Sequence, residues 1–277
     1  MKLSSKILIG LGIALFIIPI VTTSYIVGNN RVDTKVYEEM LRKEGNEPDS
    51  KDTYLKTYKT KSFTNLNIIG NNKGSICLFI VKSDKYAVKV DNRSESEVAV
   101  SVKADGQLNI GLKDNAKPYT KLIYVFTPDI SRIKLSEVVI ADFSGKYDHL
   151  EIIGENIEYF KFNSNITINK LSLRLKNSIL TSSESVSIQI PNLTLDLDSS
   201  EVSLVKQNYE QVFIHAKDSK VNFFGKNPDV KVKSLSLKTV GHTSIDLNDF
   251  QVENIEGQLS DETKTDFSIP LLRRILK

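Results

Sequence analysis

The sequence predicts an all-β protein, a right-handed β-helix-like solenoid preceded by one N-terminal transmembrane helix. Three observations lead there: an uncharged apolar run near the start, a two-residue hydrophobic alternation through most of the remainder, and a weak repeat of about twenty residues in the second half. At 277 residues and 40% hydrophobic composition the chain is large and apolar enough to bury a sizeable core.

The first element is the apolar run. No charge occurs from Ile7 to Gly28, and its centre, ILIGLGIALFIIPIV, suits a helix crossing a hydrocarbon layer of about 30 Å. Lys2 and Lys6 precede it and Arg31 follows, so the positive-inside rule gives a short cytoplasmic N-terminus and an exported body. The run is longer than the apolar region of a cleaved signal peptide and continues through Tyr25, Ile26 and Val27. Retention as a signal anchor is therefore favoured over cleavage after Ser24. Pro19 is tolerated in such a span, where neighbouring groups take up the freed carbonyl. Residues 1–28 are thus expected to form the cytoplasmic start and anchor.

Residues 29–62 are dense in charge and read as a linker. Val36, Tyr37, Met40 and Leu41 fall at helical spacing and suggest a short amphipathic helix, which Gly45 and Pro48 would end.

From Phe63 onward nearly every segment alternates. Leu66-x-Ile68, Ile76-x-Leu78-x-Ile80, Tyr86-x-Val88-x-Val90, Val98-x-Val100-x-Val102 and Leu108-x-Ile110-x-Leu112 carry the period of half-buried strands. Asn71-Asn72-Lys73-Gly74, Lys82-Ser83-Asp84 and Ala104-Asp105-Gly106 separate them as turns. Later, Leu173, Leu195, Ile214 and Leu237 occupy equivalent places in a repeat stepping by 22, 19 and 23 residues, and Ile152 lies 21 before the first. A strand, a polar turn and a strand in about twenty residues suit a coil whose apolar edge the next coil covers. A β-solenoid over 63–260 follows, with 261–277 as a cap or tail. Pro270-Leu-Leu-Arg-Arg-Ile-Leu-Lys277 would hide the open apolar end in preference to touching anionic lipid.

On this alignment Arg174, Asp196, His215 and Lys238 form an outward-facing ladder. It reads first as a solvated row of mixed charge and second as a binding stripe. Ser178, Ser200 and Ser219 share a corner, where small polar side chains satisfy backbone groups.

The stretch FTNLNIIGNNKGSICLFIVKSDKYAVKVD at 63–91, then DGQLNI at 105–110 and YVFTPDISRIKLSEV at 124–138, resembles the opening of the auto-transporter adhesin, head GIN domain family, a domain of unknown function in bacterial envelope proteins. The resemblance implies a β-helix-like stack and an envelope location, and it implies no catalytic residue. The chain departs from the family in its few glycines, 13 in all; Leu135-Ser136-Glu137 stands where serine-glycine turns are expected.

Chemistry is hard to find. His149, His215 and His242 lie in no metal-ligand spacing, and Asp196 with Asp198 is too small a set for calcium. Nucleophile elbows, phosphate loops and dinucleotide fingerprints are absent. Cys77, the only cysteine, can form neither an internal disulfide nor a multi-thiolate site and reads as a small hydrophobe. A net charge of +3 spread along the chain argues against nucleic acid. No catalytic, cofactor-binding or metal residue is assigned. The expectation is a non-enzymatic, adhesin-like protein, single-pass in the bacterial inner membrane with its C-terminal body in the periplasm or at the cell surface. It would be anchored through the N-terminal helix and bind a protein or glycan partner. The alternatives are a polysaccharide-active β-helix enzyme and an envelope-stress sensor working through a partner membrane protein.

Overall fold

The computed structural model describes residues 3–30, 40–41, 43–51, 53–71, 74–225, 229–247 and 250–275, with side chains of the first helix described for 11–25. Lys2, Arg31, Val36, Tyr37, Asn72 and Lys73, which the sequence reading used, lie outside these residues. The chain divides into two compact units, Met1–Lys43 and Glu44–Lys277.

The first unit holds helix α1, Leu3–Asn30, with Pro19 inside it. Among the described residues no helix is long and apolar enough to cross a membrane. The transmembrane helix expected from the sequence is therefore not established by the fold. The side chains of α1 are described over residues 11–25. Those residues nevertheless expose Leu15, Phe16, Ile18 and Ile20 by 59–77%.

The second unit is built from strands. The first eight are β1 (Leu55–Lys59), β2 (Asn65–Ile69), β3 (Ser75–Lys82), β4 (Ala87–Asp91), β5 (Val98–Val102), β6 (Gln107–Leu112), β7 (Lys121–Thr127) and β8 (Arg132–Ser136). Then come β9 (Val139–Glu155), β10 (Tyr159–Phe162), β11 (Ile166–Lys176), β12 (Ile179–Ser182), β13 (Ile188–Gln189), β14 (Asn192–Asp198) and β15 (Glu201–Val205). The last are β16 (Tyr209–Lys217), β17 (Lys220–Phe224), β18 (Lys231–Val240), β19 (Ser244–Asp246), β20 (Gln251–Gln258) and β21 (Lys264–Thr265), before helix α2, Ile269–Ile275. β1 falls in the stretch expected to be a linker. Its Leu55 is fully buried and its Tyr58 packs against the core, while the Glu44 carboxylate accepts the Leu55 N–H, and together these hold a charged segment to the sheet.

Two sheets result. Sheet A runs β1, β4, β7, β3, the first part of β9, β10, β12, β15, β17, β19, β21, and sheet B runs β5, β6, β2, β8, the rest of β9, β11, β13 with β14, β16, β18, β20. β9 changes sheet at Gly145, whose Cβ would stand 2.3 Å from the Tyr147 hydroxyl oxygen. From β8 on, each coil passes from sheet B to sheet A through a corner with one residue in the left-handed region: Glu137, Asn156, Asn177, Ser199, Asp218 and Gly241, φ 48–62°. These corners define about six turns of a parallel solenoid.

The repeat read in the sequence is the register of sheet B. Ile152, Leu173, Leu195, Ile214 and Leu237 pair strand to strand, and all are at most 2% exposed. Ile140, Phe160, Leu180, Val202, Val221 and Ile245 face them as a second column from sheet A. Alternation therefore puts every second residue inward on both walls, as a period of two requires. Aromatic clusters fill the wider places, Phe143 with Phe160 and Phe162, and Tyr209 with Phe223 and Phe250.

The two ends are finished differently. The chain enters mid-stack at β2 and β3, travels outward, and returns; β4 runs antiparallel to β1 and β7, and β5 antiparallel to β6. At the far end α2 seats Leu271, Leu272 and Ile275 against the core, and Arg274 donates to the carbonyls of Val252 and Glu253 on β20.

Candidate sheet B surface site

The outer face of sheet B carries three rows set by strand register. Arg174, Asp196, His215 and Lys238 are directly paired across β11, β14, β16 and β18, so the four ladder residues lie side by side. The next row is Arg132, Glu151, Ser172, Thr194, Phe213 and Ser236; beyond it run His149, Lys170, Asn192 and Gln211.

Charge alternates through the first two rows. Arg132 Nε lies 2.6 Å from Glu151, Arg174 lies 3.4 Å from Glu151 and 3.5 Å from Asp196, and His215 Nδ1 lies 3.1 Å from Asp196. The participants are about half exposed except Glu151, at 21%. Water screens such pairs, each worth about 0–1 kcal/mol, so the ladder adds little to stability for the charge it displays. Beside it Asp148 is held below the ordinary aspartate pKa, first by a hydrogen bond from the Asn169 amide and then by the neighbouring His149 and Lys170.

The small side chains of the middle row leave a trough. A hollow of about 320 Å³ lies over Ser172 and Thr194, bordered by Lys170, Asn192 and Gln211. Phe213, 45% exposed, stands in its wall. Hydroxyls, amides, the Lys170 ammonium, the Glu151 carboxylate and the His149 imidazole thus line it beside one phenyl ring. Sequence reasoning found the ladder but missed Arg132, Glu151 and Phe213. The signal for Phe213 was present, an aromatic ring on the polar beat of the alternation between Val212 and Ile214.

The corner serines are tied to the backbone. Ser200 Oγ accepts from the Ser178 N–H at 3.1 Å and donates to the Asp198 carbonyl at 2.9 Å, and Ser219 repeats this with Ser200 N–H and Lys217. Ser178 does the same for Ile157 and Lys176. Among the described residues no group of three or more His, Cys, Asp or Glu is placed to hold a metal ion. Cys77 is free and half-buried, and burial, with the Asp142 charge behind it, pushes its thiol up to about 12.

No family model and no curated protein sequence matches the chain. Solved structures do. A "putative lipid binding protein" from Parabacteroides distasonis ATCC 8503 is 13% identical over 78% of this chain and 96% of its own, with a TM-score of 0.51. A "putative adhesin" from Parabacteroides merdae ATCC 43184 is 16% identical over 77% and 93%, TM-score 0.43. Another of that description from P. distasonis is 15% identical over 79% and 94%, TM-score 0.46. At these identities the likeness is one of fold, and the first of the three carries it.

Proposed function

We propose that the chain is a membrane-anchored bacterial envelope protein, without enzymatic activity, whose solenoid presents the sheet B face to a glycan. The observation that carries this reading is the trough beside the charged ladder. Ser172, Thr194, Asn192 and Gln211 offer donors and acceptors across several coils, and Phe213 offers a flat apolar face, the pairing that a hydroxyl-rich chain with apolar C–H faces requires. Parallel strands repeat these groups at about 4.8 Å, so an extended polymer can be met at successive coils.

Anchoring is supported by α1, along which Leu11, Leu15, Phe16, Ile18, Ile20 and Val21 are each more than half exposed. The inner-membrane location with an exported body rests on this helix and on the flanking charges. Membership of the head GIN domain adhesins rests on the motifs at 63–138 together with the solenoid fold.

Two measurements test the proposal. Fractionation should recover the intact chain with membranes and leave its body open to protease added from outside; a soluble cytoplasmic chain overturns the anchor. Binding of the full chain to purified envelope polysaccharide should weaken at least ten-fold with Phe213→Ser or Asn192→Ala, and equal binding by both variants discards the glycan face.

A further inference from the structure

Among the described residues four strand edges end the two sheets, and three are obstructed. β1 carries the exposed lysines Lys56 and Lys59, β21 is two residues long, and the carbonyls of Val252 and Glu253 on β20 are occupied by Arg274. Charge, brevity and covering are the usual means of keeping an edge from pairing. β5 has none of them. It reads Val98-Ala99-Val100-Ser101-Val102, without charge, proline or bulge, and among the described residues it pairs with β6 alone.

The hydrogen bonding fixes which groups are left over. Lys103 N–H donates to the Gln107 carbonyl and Lys113 N–H to the Glu97 carbonyl, each at 2.9 Å. Antiparallel pairs alternate, so the odd-numbered residues of β5 bond to β6 and the N–H and C=O of Val98, Val100 and Val102 point away from it. Three donors and three acceptors are thereby presented in a straight row.

We propose that this edge pairs with the same edge of a second copy, antiparallel about a two-fold axis at Val100, joining two sheets B into one. In that register Val100 meets Val100 of the other copy and Val98 meets Val102, and each pair exchanges two hydrogen bonds through groups otherwise left to water. Ala99 comes opposite Ser101 on the outer side, both small and exposed, so neither side chain blocks approach. Val100 and Val102, half-buried in one copy, gain apolar neighbours on the core side. The strand is held in place for this: Glu97, immediately before it, is locked to the buried Lys121 at 3.3 Å. Lys56 and Lys59 disfavour the competing pairing of β1 in sheet A.

Sedimentation equilibrium of the full-length chain in density-matched detergent is the test. The wild type is expected to reach twice the monomer mass at micromolar to sub-millimolar concentration. Val100→Pro removes an outward N–H without breaking a bond to β6 and should abolish the dimer. Ala99→Lys with Ser101→Lys sets like charges across the axis and should weaken it roughly ten-fold or more, as should Ala99→Glu with Ser101→Glu. Mixing the lysine and glutamate variants should restore a heterodimer, an outcome no folding defect produces. A wild type monomeric to about 200 μM, a dimer indifferent to both charge pairs, or an edge that accepts only an unrelated protein's strand overturns the proposal.

Discussion

Individual side chains do two kinds of work in the coil corners and the core. The hydroxyl of Ser200, 5% exposed, satisfies an N–H from one coil and a carbonyl from its own, so Ser200→Ala leaves the Ser178 N–H buried and unpaired, while the Asp198 carbonyl keeps the Asn177 N–H. A loss of about 1–3 kcal/mol is expected, read as a lower denaturation midpoint with an unchanged m-value. Tyr147 is the converse case. Its hydroxyl is buried without a hydrogen-bond partner among the described residues, and burial raises its pKa. Tyr147→Phe removes that polar atom and keeps the ring beside Phe143, so stability should rise by about 1 kcal/mol. A thermal midpoint that falls instead would show an unseen partner for the hydroxyl. The serines were legible in the sequence because they recur at coil spacing; Tyr147 was not, because it lies where β9 changes sheets and the repeat has not yet become regular.

Among the elements, the N-terminal hairpin of β5 and β6 depends on one buried ion pair. Glu97 and Lys121 are both essentially sealed from water, and Glu97 also accepts from the Lys117 N–H and the Tyr119 hydroxyl. The backbone N–H contributes most, then Tyr119 and Lys121, and together they hold the Glu97 carboxyl below its ordinary value against the opposing cost of burial. A carboxyl with a depressed folded pKa contributes stability above its unfolded pKa, and that stability is lost as pH falls through the lower folded value. Stability measured downward from neutral pH should therefore decline through the acid range. Glu97→Gln should be weaker at neutral pH and flatter across that range; a parallel decline in both proteins assigns the acid loss elsewhere. Alternation at Val98–Val102 announced this strand without revealing its partner, because a strand that turns back antiparallel carries the same period as one that continues the stack. For the same reason the sequence could not show that β6 and β7 lie outside β2 and β3. Helix α2, in contrast, was legible as an apolar segment following the last coil.

For the whole solenoid, near-independence of its coils is the property most open to test. Each coil from Asn156 onward contributes inward side chains to both sheets and one position to the outward ladder row, turns through one left-handed corner residue, and touches chiefly its two neighbours. Removing residues 200–218 joins Ser199, already at φ 52°, to Ser219, whose hydroxyl can take the place of the Ser200 hydroxyl beneath the Ser178 N–H. Leu195 then meets Leu237 and Val202 gives way to Val221, so both columns stay apolar. Phe223 and Phe250 remain in contact after Tyr209 is lost. On the outer face Asp196 comes opposite Lys238, which preserves alternating charge after Arg174. The shortened chain is expected to fold cooperatively with the same circular dichroism shape and a thermal midpoint lower by several degrees. A deletion one residue shorter, of residues 204–221, cuts through β15 and joins Ser203 to Asn222, which puts Asn222 in the inward place of Leu204, one residue out of phase. It should turn inward residues outward and yield no cooperative transition. Equal behaviour of the two deletions would mean that stability does not reside in coil-to-coil register, and the ladder face would lose its claim to be a repeating surface.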